Sequence, residues 1–176
     1  MKAEGRKQKA EVVARFLEYP NPDRGGHAAA LSEEIAAFLD EIRNVSPDGL
    51  EELYTRTFDL NPVASLDLGW HLYGERYERG RLMAVLRELE NEAGVDSGSE
   101  LPDHLTVVLR LIAVADLGEP LRQQLAVAVR KIRETLDEQG NPYRHLVRAA
   151  EEMLAPGSPR PAERRVMGDA LEGVHP

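Results

Sequence analysis

Apolar residues recur at spacings of three and four along most of the chain, which is the periodicity of amphipathic helices. The pattern predicts helices over these ranges: 8–18, 28–43, 46–57, 63–73, 76–93, 104–117, 120–138 and 142–154. Proline and glycine lie between them, where they end helices and begin turns. No segment alternates apolar and polar residues as a half-buried strand would, and no fixed repeat is visible. The sequence therefore predicts an all-α, single-domain bundle of seven to eight helices.

The helix at 104–117 differs from the others because apolar residues cover nearly its whole circumference. Such a helix is expected at the centre of a bundle. Its β-branched residues would also suit a buried strand, but the sequence offers no second strand to pair with it. Asp103 is predicted to be the N-cap of this helix, and Ser46 the N-cap of the helix that Pro47 opens.

The end of the chain has a different composition. Residues 156–176 begin with Pro-Gly-Ser-Pro-Arg-Pro and contain too little apolar surface to pack. The sequence therefore predicts a helical domain over 1–155 and a disordered C-terminal tail over 156–176.

The composition indicates a cytoplasmic protein. Cysteine is absent, so disulfides and thiolate chemistry are excluded. The N-terminus lacks the apolar region of a signal peptide, and no apolar run approaches the 18 or so residues that span a bilayer. We expect neither export nor stable association with a membrane.

Negative charge is concentrated in one part of the chain. The formal net charge is −9, and 33–59 carries eight carboxylates against two arginines, which is six of those nine excess charges. An acidic protein is a poor match for a phosphate backbone, so nucleic acid is not an expected partner. A basic peptide is the better expectation, although an acidic surface also serves solubility alone.

The motifs of the common catalytic and metal sites are missing. Di-iron bundles carry Glu-x-x-His pairs, whereas His71 and His145 follow Leu68 and Pro142 at that spacing. No Gly-x-Ser-x-Gly elbow and no phosphate-binding loop occurs. We predict no catalytic residue, no metal ligand and no cofactor.

The polar residues that remain lie at predicted helix ends, all within the stretch from Tyr54 to His104. Each one could cap a helix, bond a loop carbonyl or face solvent, and the spacing alone does not choose between those roles and ligand binding. They are Asp59, His71, Glu75, Asp103 and His104.

An ordered set of short motifs resembles the NarJ branch of the TorD/DmsD superfamily of chaperones. The motifs are Leu17-Glu18-Tyr19-Pro20, Tyr54 with Thr57-Phe58-Asp59, Ser65-Leu66 through His71, Gly74-Glu75, Arg79-Gly80, and Glu100-Leu101-Pro102-Asp103-His104-Leu105. Each motif is short and weak alone, but their order and spacing extend over more than half of the chain.

The resemblance implies an all-helical protein that catalyses no reaction of its own. NarJ-like chaperones bind the N-terminal leader peptide of the catalytic subunit of a molybdenum-containing nitrate reductase or a related enzyme. They keep that subunit open for insertion of the molybdenum cofactor before it docks at the membrane. Such a leader is basic and can form an amphipathic helix, which an apolar groove with an acidic rim would bind.

The same resemblance implies a peptide-binding surface with 100–104 on one side and the helix bearing Trp70 on the other. The Pro-Asp-His element is the family's recognition motif, and the other positions carry over less directly. The candidate peptide-binding residues are Asp59, Trp70, His71, Glu75, Glu100, Asp103 and His104.

The chain departs from the family pattern at three positions, and other functions stay open. Thr106 replaces a frequent proline, Arg110 a common glutamate, and Glu90 a usual aromatic. Because Arg110 reverses a charge near the expected site, we expect a less basic leader there. A metal-binding or enzymatic helical bundle and a self-assembling helical scaffold are the alternatives. A monomer or weak dimer is expected.

Overall fold

The computed structural model describes residues 3–20 and 32–155. Within these ranges the chain is helical, and its only extended pairing is an isolated antiparallel bridge between Asp67 and His104. The elements are α1 (Ala3–Phe16), α2 (Glu33–Glu41), α3 (Pro47–Tyr54), a π-helical turn (Thr55–Asp59), α4 (Leu68–Tyr73), α5 (Tyr77–Ala93), α6 (Leu105–Val114), α7 (Glu119–Glu138) and α8 (Arg144–Leu154). The predicted all-α bundle is confirmed.

The short helix α6 lies at the centre of the bundle, as its apolar circumference predicts. It packs against α1, α5 and α8, and α7 pairs with α8. Leu105, Val108 and Leu111 are completely buried. The remaining helices surround this core: α2 packs on α8, and α4 packs on α5 and α7. The core is therefore aliphatic around α6.

An aromatic cluster connects the elements on one side of the core. Phe38 lies 5.8 Å from Phe16 and 5.1 Å from Tyr143 between ring centroids. Phe58 of the π-helical turn lies 4.9 Å from Tyr143 and 5.1 Å from Tyr54. Burial raises the pKa of the Tyr143 phenol well above its usual value. Edge contacts of this kind stabilise the packing of α1, α2, α3 and the start of α8 beyond their buried area.

Three details of the helix boundaries differ from the prediction. Helix α4 begins at Leu68 rather than Val63, because the backbone on either side of Asp67 pairs with another segment and is not available for helical hydrogen bonds. The helix from Ser46 changes at Thr55 into a π-helical turn. Asp103 is not an N-cap: His104 occupies that position, and no side chain caps α6.

Helix α1 occupies Ala3–Phe16 rather than 8–18, and α6 ends at Val114 rather than at 117, whereas two other predicted boundaries are confirmed. Ser46 caps α3 through its Oγ, which accepts a hydrogen bond from Gly49 N at 3.1 Å. Helix α5 ends at Gly94, whose φ of 67° is left-handed and suits glycine. Residues 28–31 of the predicted second helix and the predicted tail, 156–176, lie outside the described residues.

Candidate functional site

Two of the sequence motifs meet through their backbones. Leu68 N donates a hydrogen bond to Asp103 O at 2.9 Å, and Leu105 N donates to Leu66 O at 2.8 Å. This pairing connects the residues that precede α4 with those that precede α6. We call the surface formed by 66–71 and 100–105 the bridge surface. The predicted proximity of the helix bearing Trp70 to 100–104 agrees with this geometry.

Asp103 lies underneath the bridge surface rather than on it. Its side chain is fully buried, and its Oδ2 accepts a hydrogen bond from Arg79 Nε at 2.8 Å. Arg79 Nη2 lies 3.3 Å from Asp67 Oδ2. Burial lowers the pKa of Arg79, but the hydrogen bond and charge of Asp103 outweigh it and raise that pKa overall. One arginine of α5 therefore neutralises a buried carboxylate and contacts a second one.

Gly69 allows α4 to approach this ion pair closely. A Cβ at position 69 would overlap Asp103 Oδ2 and would lie 3.0 Å from Arg79 Cγ. Real Cβ atoms essentially never come that close to a carboxylate oxygen without a shift of the neighbouring groups. The absence of a side chain at Gly69 is therefore what lets the carboxylate and guanidinium groups fit beneath α4.

The two candidate histidines make internal hydrogen bonds. His71 Nε2 lies 2.6 Å from Ser65 O, so its Nε2–H donates to that carbonyl. His104 Nδ1 lies 2.7 Å from Thr106 Oγ1, and its Nε2 lies 3.8 Å from Glu100 Oε2. Burial lowers the pKa of both imidazoles. Both are therefore expected to be neutral near pH 7, so neither one offers a cation to a ligand.

The structure places the seven candidate residues in three different environments. Asp103 is buried, Trp70, His71 and His104 are half-buried, and Glu75 and Glu100 are exposed. The candidate residues that make contacts across the bridge surface belong to α4 and to 100–104. Glu75 lies in the turn after α4. Asp59 lies apart from these contacts, at the exposed end of the π-helical turn, where its charge acts on Tyr19.

Several residues that support the bridge surface were not among the predicted site residues. They are Asp67, Gly69 and Arg79, and Lys131 of α7, whose Nζ donates a hydrogen bond to His71 O at 2.8 Å. The signal for Arg79 in the sequence is that it belongs to one of the quoted motifs. That Asp103 requires a cation follows only from its burial in the fold. The contact of Lys131 depends on tertiary packing and has no local signal.

Each of the three departures from the family pattern has a partner within the chain, and that of Thr106 is His104. Arg110 forms an ion pair with Glu18 and lies 3.9 Å from Glu11 at the interface of α1 and α6. Glu90 is buried, and its Oε2 accepts a hydrogen bond from Arg87 at 2.7 Å. Because Glu18 pairs with Arg110, the reversed charge is compensated within the chain.

Residues 3–20 and 32–155 include no group of three or more His, Asp or Glu side chains arranged to hold a metal ion. No helix in the same part of the chain is both long and apolar enough to cross a membrane.

The bundle resembles a known class of fold. A crystal structure of a protein from Archaeoglobus fulgidus, described as a redox enzyme maturation protein, superimposes with a TM-score of 0.62. The match covers 85% of this chain and 93% of that chain at 22% sequence identity. At this identity the likeness shows that the two proteins share a fold.

Similarity in sequence identifies the family to which the chain belongs. The family described as nitrate reductase delta subunit matches residues 25–149, which is more than half of the chain. The chain therefore belongs to this family, that of the NarJ-type chaperones. It is also 31% identical over 154 residues to the nitrate reductase-like protein NarX of two strains of Mycobacterium tuberculosis, CDC 1551 / Oshkosh and ATCC 25618 / H37Rv. The match covers 79% of this chain but spans only 23% of the length of those relatives.

Proposed function

We propose that this protein is a cytoplasmic chaperone that binds the N-terminal segment of the catalytic subunit of a molybdenum-containing nitrate reductase or related enzyme. In this role it holds the subunit open for insertion of the molybdenum cofactor before docking at the membrane. The observation that carries the proposal is the family match over 25–149, together with an all-α maturation fold. The family is one of maturation proteins rather than catalysts, and the protein acts without a cofactor of its own.

The bridge surface supports peptide recognition. On this surface exposed Glu100 supplies negative charge and half-buried Trp70 supplies apolar surface, and exposed Glu75 adds a second charge from the turn after α4. Asp103 and Arg79 act indirectly by fixing the backbone on which these groups stand. A chaperone must release its client, so we expect a dissociation constant between about one micromolar and some tens of nanomolar.

Calorimetry with a synthetic N-terminal segment of the client subunit tests this proposal. Changing Glu75 and Glu100 together to glutamine should weaken binding at least tenfold, because the change removes two exposed negative charges that attract a basic peptide. The matched control is Glu134→Gln with Glu138→Gln on exposed positions of α7, which should leave affinity unchanged. Exposed positions are preferred to Asp103, whose removal would disturb the fold. If the parent protein does not bind the segment, the proposed function is wrong.

A second experiment addresses maturation itself. The client subunit is produced with and without this chaperone, and its molybdenum content is measured after purification. We expect a large loss of molybdenum without the chaperone and recovery when it is restored. Equal molybdenum content in both preparations would contradict the role in cofactor insertion.

We also expect the purified chaperone to be a monomer or weak dimer, which light scattering measures.

A further inference from the structure

A second surface, distant in sequence from the bridge surface, has the properties of a peptide-binding pocket. It is an open pocket of about 420 Å³ between the segment after α1, helix α3 and the π-helical turn. Its lining residues are Tyr19, Asp48, Glu51, Glu52, Thr55, Arg56 and Leu60. We call it the Tyr19 pocket. None of these residues belongs to the bridge surface.

The apolar part of the pocket is exposed but firmly supported. The Tyr19 side chain is 50% exposed and Leu60 is 75% exposed. The Tyr19 ring rests edge-on against buried Tyr54 at 5.5 Å between centroids, and Tyr54 Oη donates a hydrogen bond to Leu17 O at 3.1 Å. Leu60 N donates the closing hydrogen bond of the π-helical turn to Thr55 O at 3.0 Å. A preorganised apolar surface loses little freedom when it binds a partner.

The polar part of the pocket is acidic. Asp48, Glu51 and Glu52 lie beside a single cation, Arg56, which is 3.8 Å from Glu52. Tyr19 Oη donates a hydrogen bond to Glu51 at 3.2 Å, so one carboxylate lies directly at the edge of the exposed ring. An aromatic face beside carboxylates favours a lysine or arginine side chain, through cation–π and ionic attraction together. A partner must therefore present both an apolar and a cationic side chain.

We propose that the Tyr19 pocket binds a basic amphipathic helix from the N-terminal segment of the client. An apolar side chain of that helix lies between Tyr19 and Leu60, and a lysine or arginine one turn away pairs with Glu51 and Asp48. This inference rests on the proposed function and gives that function a specific contact surface. It assigns one cationic side chain of the client to the Tyr19 pocket, in addition to the charge that Glu75 and Glu100 attract.

The test compares a substitution of exposed Leu60 and one of half-buried Glu51 with matched controls in calorimetry against the client segment. Leu60→Ser removes the apolar contact, and Glu51→Gln removes a charge but keeps an acceptor for Tyr19. Val127→Ser, at a position 47% exposed, and Glu138→Gln are the controls on α7. We expect the double variant Leu60→Ser with Glu51→Gln to lose affinity for the client segment at least tenfold. The control variants should change that affinity at most twofold, and the Tm of every variant should be unchanged.

The possible outcomes separate the inference from the proposed function. Full affinity in the Leu60 and Glu51 variant, with loss in the Glu75 and Glu100 variant, overturns the inference alone. No binding by the parent protein overturns both. If Leu60→Ser instead dissociates a dimer in light scattering, a second copy of the chain occupies the pocket. If Leu60→Ser tightens peptide binding, another part of the chain occupies the pocket. Either result shows that the inference is wrong. The expected result for the oligomeric state is no change.

Discussion

At the scale of single residues, the bridge surface depends on one missing side chain. We expect Gly69→Ala to destabilise the fold by about 1–3 kcal/mol, because the added methyl group must displace the Asp103 carboxylate or the Arg79 side chain in a packed site. The measurement is urea unfolding of the parent and the variant.

Glycine 80 provides a matched control within the neighbouring helix. It lies in α5, it is exposed, and a Cβ there would meet nothing within 4 Å. Gly80→Ala should therefore stabilise the protein by about 0.5–1 kcal/mol, through helix propensity alone. Equal effects of the two substitutions would show that Gly69 is not under steric constraint.

The two half-buried histidines predict how stability depends on pH. Burial lowers the pKa of His71 and His104 in the folded state, so the unfolded chain binds more protons between the folded and unfolded values. Their contribution is complete above the unfolded pKa of about 6.5 and is lost as pH falls through the lowered folded values. We expect the free energy of unfolding to decrease from pH 7.5 to pH 5.5.

Replacing both histidines isolates their share of that pH dependence. His71→Gln with His104→Gln keeps a donor for Ser65 O and removes the titrating groups. Chemical unfolding at several pH values should then give a flatter profile above about pH 5.5, where carboxylates with ordinary pKa values remain ionised. An unchanged slope would assign the pH dependence to other groups.

At the scale of elements, the π-helical turn is anchored to the start of α8. Asn141 Nδ2 donates a hydrogen bond to Thr57 Oγ1 at 2.7 Å, and Thr57 is buried. Thr57→Val keeps the shape and removes the acceptor, so we expect a loss of about 1 kcal/mol in urea unfolding. Thr135 is the matched control, because its hydroxyl donates a hydrogen bond along its own helix, to Lys131 O. Thr135→Val should change stability by less than about 0.5 kcal/mol.

The helices were largely predictable because amphipathic spacing records which face is buried. Helix α7 was predicted at 120–138 and occupies Glu119–Glu138, and its stripe of leucine, valine and isoleucine is buried. The errors occur where tertiary pairing determines the backbone. Leu66 and Leu68 look helical from their neighbours, yet the backbone bonds to Asp103 and Leu105 impose an extended segment before α4.

At the scale of the whole molecule, family and fold could be predicted, whereas the accessibility of the candidate residues could not. Asp103 was predicted as a cap and a peptide contact, but the fold buries it against Arg79. Its burial depends on α4, α5 and α6 meeting, which no local pattern encodes. The acidity of 33–59 was visible in the sequence, whereas the position of Asp48, Glu51 and Glu52 beside exposed Tyr19 required the packing of the segment after α1 against α3.

The distribution of charge predicts how client binding should depend on salt. If the acidic Tyr19 pocket attracts a basic segment, association is faster than for a neutral pair, and added salt screens that attraction. Between 50 and 500 mM NaCl we expect the association rate constant to fall about tenfold, while the dissociation rate constant changes less, because apolar contacts determine residence time. Surface plasmon resonance measures both constants. A client segment with its lysines and arginines replaced by glutamine is the control, and it should associate slowly at every salt concentration. Equal salt dependence for both segments would show that charge does not guide the encounter.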